Sequence, residues 1–85
     1  MTPKLLSARY VSEYRIHVAF EGGCEGTIDL QRELWGPVFE PLKQVAKFKR
    51  FRLNEELNTI EWPETGADLA PEFLFESAQR RQSAA

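Results

Sequence analysis

Two prolines divide the stretch from Thr59 to Glu76 into a strand that must stop and a helix that can start. Thr59-Ile60-Glu61-Trp62 joins β-branched and aromatic residues at strand spacing, and Pro63, with no amide hydrogen for a ladder, ends it. Pro71 suits the first position of a helix, where the missing N–H would be unbonded anyway. Glu72 and Glu76 then lie alongside Phe73, Leu74 and Ala78, which are available for burial. Gln79 to Ala85 reads as a polar tail, which puts the expected domain at residues 1–78. This stretch says much about fold and nothing about chemistry.

A second constraint is the alternation in Tyr14-Arg15-Ile16-His17-Val18-Ala19-Phe20, which sets Tyr14, Ile16, Val18 and Phe20 on one face of a half-buried strand. It resumes after Glu21-Gly22-Gly23, with Cys24, Gly26, Ile28 and Leu30 on the apolar side. A two-residue turn at Gly22-Gly23 would set Phe20 opposite Glu25 and mix the faces. A three-residue loop, Glu21-Gly22-Gly23, keeps them apart: Phe20 faces Cys24, Val18 faces Gly26 and Ile16 faces Ile28. The polar side then pairs Arg15 with Asp29 and His17 with Thr27.

Lys4 to Val11 carries Leu6, Ala8 and Tyr10 at period two and reads as a first strand turning at Ser12-Glu13, which makes a three-stranded meander. Leu30 to Trp35 has the composition of about one helical turn before Gly36-Pro37. Val38 to Phe51 has helical spacing broken at Pro41, hence two short turns. Phe51-Arg52-Leu53 and Thr59 to Trp62 form a short second hairpin around Asn54 to Asn58. The expected fold is α+β: a small antiparallel sheet with a second hairpin, short helices and a C-terminal helix.

Eighty-five residues suffice for one modest core. No apolar run reaches the roughly 20 residues of a spanning helix, and Arg9 interrupts any secretion-signal pattern at the start. One cysteine cannot form an internal disulfide. A cytoplasmic protein held by packing is the expectation. Net charge is −2, divided as nine Lys/Arg against six Asp/Glu over residues 1–53 and two against seven over residues 54–85.

The ordered set Tyr14-Arg15, Ile28-Asp29-Leu30, Val38-Phe39-Glu40-Pro41-Leu42, Thr59-Ile60-Glu61-Trp62-Pro63 and Gly66-Ala67-Asp68-Leu69-Ala70-Pro71-Glu72 resembles the bacterial Domain of Unknown Function 2442 family over about residues 4 to 76. The resemblance implies a small α+β domain with no assigned activity and no catalytic residues to carry over. Members occur alone, fused to a helix-turn-helix domain, or encoded beside a second small protein in a toxin-antitoxin-like arrangement. The chain as given leaves no room for the DNA-reading helices of the longer members.

Each candidate site has a plainer reading. His17, the single histidine, would serve as a general base, yet its polar strand face suits an ordinary hydrogen-bonded residue. Cys24 would be a reactive thiol, but on the apolar face it behaves as a small hydrophobe. Glu21, Glu25 and Asp29 invite a hard-cation reading, although period-two acids commonly just solvate a strand. Asp68 is expected to cap the final helix. No catalytic, cofactor or metal site follows. Lys43, Lys47, Lys49, Arg50 and Arg52 form one dense basic run with Phe48 and Phe51 interleaved, as in single-strand binders. Trp35 is the better tryptophan for an interaction anchor. The functional expectation is a non-enzymatic protein-interaction or regulatory module that binds a neighbouring gene product or a second copy of itself through sheet edges. The alternative is nucleic-acid binding through Lys43 to Arg52.

Overall fold

The computed structural model describes residues 2–83. In chain order these form β1 (Leu5–Ser12), β2 (Arg15–Phe20), β3 (Glu25–Asp29), two 3-10 turns (Gln31–Glu33 and Glu40–Lys43), the one-turn helix α1 (Val45–Phe48), β4 (Arg52–Asn54), β5 (Thr59–Trp62), β6 (Ala67–Asp68) and helix α2 (Pro71–Ser83). The strands make two antiparallel sheets, ordered β1-β2-β3 and β4-β5-β6. This is the small α+β fold that the sequence predicts.

The β2–β3 register follows from keeping apolar side chains on one face. Ile16 pairs with Ile28, Val18 with Gly26, Arg15 with Asp29 and His17 with Thr27. The Phe20 amide donates to the Cys24 carbonyl at 2.8 Å and closes the three-residue loop. Gly22 and Gly23 take φ of 91° and 89°, a conformation in which a side chain would be strained.

Four details depart from expectation. In β1, Leu5 pairs with Phe20 and Ser7 with Ala19, so Leu6 is the extra residue of a bulge. Leu5 is therefore buried and Leu6 is 54% exposed, while Ala8 and Tyr10 return to the inner side. The strand also runs on to Ser12, one turn residue being Glu13 at φ 47°. Pro41 does not separate the two helical turns. It sits at the start of the first, and the break is Gln44, whose ψ of 115° is extended.

Third, Ala67-Asp68 adds a strand to the second hairpin, pairing Trp62 with Ala67 and Glu61 with Asp68. Asp68 is thus a strand residue opposite Glu61 rather than a helix cap. The Thr65 and Gly66 amides both reach the Trp62 carbonyl, so the turn after Pro63 folds the chain straight back. Fourth, α2 continues through Gln79, Arg80 and Arg81 to Ser83, where a tail was expected; Ala84 and Ala85 lie outside the described residues. Gln and Arg are good helix formers, and cations suit a helix C-terminus. The helix is also held from below, since Leu74, Ser77 and Ala78 are buried. Gly26 of β3 lies so close that a Cβ there would stand 3.0 Å from the Ala78 carbonyl oxygen and 3.1 Å from the Arg81 Cβ.

One core cluster draws on every layer: Ile16, Val18 and Phe20 from β2, Phe48 from α1, Ile60 and Trp62 from β5, and Leu74 and Ala78 from α2. Asn58, at φ 59°, accepts the Leu5 amide at 2.7 Å and donates to the Pro3 carbonyl at 2.9 Å, tying the second hairpin to the start of β1.

Candidate interaction surface

Leu34 is buried, so the 3-10 turn before it is anchored and the next residue must leave the core. Gly36, at φ 89°, turns the chain there. Trp35 is consequently 73% exposed. Beside it lies an apolar groove of about 390 Å³ formed with Phe39, Leu69, Ala70 and Phe73, with Glu33 and Asp68 at its rim. Phe39 is fixed from behind by an edge contact with Trp62 at 6.2 Å between ring centroids. Leu69 is buried directly after β6, and Phe73 projects from the first turn of α2. Two stretches far apart in sequence thus build one apolar wall.

Across Glu33 and Phe73, which belong to both, a second groove of about 610 Å³ runs between the end of β3 and the C-terminal half of α2. Arg32, Arg80 and Arg81 line it together with Asp29 and Ser77. Arg80 Nη2 donates to Ser77 Oγ at 3.3 Å. Among the described residues none of these three arginines is at ion-pair distance from a carboxylate.

The basic run is arranged differently. Lys43 pairs with Glu40 at 3.0 Å, Arg50 with Glu64 at 3.0 Å and Arg52 with Glu61 at 2.6 Å. In the last two pairs, acids of the negative C-terminal part neutralise cations of the positive N-terminal part. Lys49 lies over the Tyr10 ring at 5.1 Å, and Lys47 is half-buried. Phe48 is fully buried among Tyr10, Tyr14 and Trp62, and Phe51 packs its edge on Trp62. The two phenylalanines point inward and offer no stacking platform. Glu61 also accepts from Asn54 Nδ2 at 2.9 Å, and these bonds from Asn54 and Arg52 hold its carboxyl below the ordinary carboxylate range.

His17 lies on the outer face of the first sheet, with Nδ1 3.0 Å from Thr27 Oγ1 and Nε2 3.4 Å from Glu25. It lines neither groove. Asp29 is engaged by the Gln31 amide at 3.0 Å and by Arg15 at 3.7 Å, which separates it in role from Glu21 and Glu25. Among the described residues no cluster of His, Cys, Asp or Glu is arranged to hold a metal. Cys24 is half-buried against the core, and burial pushes its thiol pKa up, away from the reactive thiolate.

A family model described as "Protein of unknown function (DUF2442)" matches residues 5–80, from the start of β1 through most of α2. The chain belongs to that family. Neither the comparison with curated proteins nor that with solved structures gave a match. Within this DUF2442 domain the matched span includes every residue of the apolar groove and all of the charged groove except Arg81. Of the candidate interaction residues Trp35, Lys43, Lys47, Lys49, Arg50 and Arg52, Trp35 alone lines a groove; Asp29 and Asp68, singled out for other roles, line the charged and the apolar groove respectively. Sequence reading missed Arg32, Arg80 and Arg81 because they meet only through the packing of α2 on β3. The available signal was Gly26: a glycine in the apolar register of a strand marks a close approach by another backbone.

Proposed function

We propose that this DUF2442 domain is a non-enzymatic protein-interaction module, a regulatory accessory of the toxin-antitoxin-like kind that works in the cytoplasm and takes a partner at the groove beside Trp35. The observation that carries this reading is Trp35 itself, a large aromatic ring 73% exposed at the edge of an apolar groove. An exposed ring of that size loses apolar area to water unless something covers it, and tryptophan is enriched among residues that dominate binding energy. Among the described residues no helix is long and apolar enough to cross a membrane.

Nucleic-acid binding through Lys43, Lys47, Lys49, Arg50 and Arg52 is the weaker alternative, because three of those cations already face carboxylates and Phe48 is buried. Co-expression with the product of the adjacent gene, followed by co-purification, tests the favoured reading. A complex that forms with the parent chain and is lost with Trp35→Ala is expected. A chain that elutes alone, or a complex indifferent to Trp35→Ala, overturns it. A salt-sensitive gel shift abolished by Lys47→Glu, Lys49→Glu and Arg50→Glu together would favour the alternative.

A further inference from the structure

We propose that the segment docking beside Trp35 is acidic as well as apolar: its apolar side chains sit on Trp35, Phe39 and Phe73, and its Asp or Glu side chains engage Arg32, Arg80 and Arg81. This rests on the docking reading above and names the chemistry of the partner. The two grooves share Glu33 and Phe73, so one extended segment crosses from the apolar wall to the basic wall without leaving the surface.

Charge complementarity selects the occupant. Among the described residues, Arg15, Arg50 and Arg52 each face a carboxylate, whereas Arg32, Arg80 and Arg81 do not. The Asp29 carboxylate in the same groove is already engaged by Arg15 and the Gln31 amide. Two of the arginines have a local reason to be where they are, the C-terminal end of α2. Arg32 belongs to a different turn yet lines the same groove. Guanidinium groups present a planar fork that suits carboxylates bidentately. A free small anion would leave the adjoining apolar wall uncovered, and a nucleic-acid backbone crossing the same path would meet Glu33 and Asp68. A protein segment bearing both apolar and acidic side chains satisfies both halves.

A random-peptide phage library selected against the immobilised full chain tests this, with the enriched peptides synthesised, fluorescently labelled and titrated by polarisation. Enrichment of Asp or Glu beside aliphatic or aromatic residues is expected. Affinity should fall about tenfold or more in the Arg80→Glu/Arg81→Glu variant and should weaken with salt. It should recover when the peptide acids are replaced by lysine. Arg32→Glu, which lies off α2, should act in the same direction, so a disturbed helix cannot decide the result; circular dichroism checks that α2 stays folded. Peptides without acidic enrichment, or binding unchanged by the arginine reversals, overturn the inference. If such peptides still lose binding to Trp35→Ala, the docking reading survives without it. A library that enriches nothing overturns both.

Discussion

The indole Nε1 of Trp62 donates to the backbone carbonyl of Phe48 at 2.8 Å, and the two rings lie 5.7 Å apart. The bond is buried and links β5 to the end of α1, so it holds the helical segment against the second sheet. Trp62→Phe keeps an aromatic ring but leaves that carbonyl without its donor and removes buried ring area. A loss of about 1–3 kcal/mol from the unpaired carbonyl alone is expected. Urea unfolding followed by far-UV circular dichroism measures it, and a midpoint equal to the parent's would contradict the role given to this bond.

Gly26 is where α2 rests on β3. Gly26→Val would drive side-chain atoms into the Ala78 carbonyl and the Arg81 stem, which already stand near 3 Å from an added Cβ. Overpacking of this kind costs about 1–3 kcal/mol. Because backbone is on the receiving side, the helix must shift as a body. Hydrogen exchange along α2 should quicken more than exchange in β5, and uniform change across both would argue against a local displacement.

The β2–β3 hairpin was legible because period-two alternation and adjacent glycines point to the same register, and both signals are local. Leu6 misled for the same reason: a bulge shifts the phase of one strand, and only its pairing with β2 reveals that. Ala67-Asp68 has neither β-branching nor alternation, so β6 exists through pairing with β5 and through the turn after Pro63. The helix beyond Ala78 was hidden by polar composition, although its residues are good helix formers once Leu74, Ser77 and Ala78 are docked. Trp35 could be nominated from Gly36-Pro37 beside it. Its groove could not, since Phe39, Leu69 and Phe73 meet only in the folded chain.

Glu61 is held below the ordinary carboxylate range first by Asn54 and then by Arg52. A folded pKa depressed in this way contributes stability that is present above the unfolded value, about 4.3, and is lost as pH falls through the folded one. Glu61→Gln should therefore be less stable than the parent at pH 7, with the gap closing as the solution is acidified below pH ~4. Parallel thermal melts from neutral to acid pH measure this. A gap that widened on acidification would reverse the sign and exclude the assigned cause.

The two tryptophans report on separate parts of the molecule, Trp62 being 1% exposed and Trp35 73% exposed. Fluorescence quenching should resolve an accessible and a protected population, and Trp35→Ala should remove the accessible one while changing stability by less than about 0.5 kcal/mol. The quencher's charge carries further information. Glu33 and Asp68 line the groove beside Trp35, so their field should draw caesium toward the ring and hold iodide away at low salt. Added sodium chloride should bring each ion's quenching of Trp35 toward its value for free tryptophan as the field is screened. Greater relative quenching by iodide would mean that the nearby arginines, rather than these acids, set the potential at the indole, and that an acidic segment would meet its attraction at Trp35 itself.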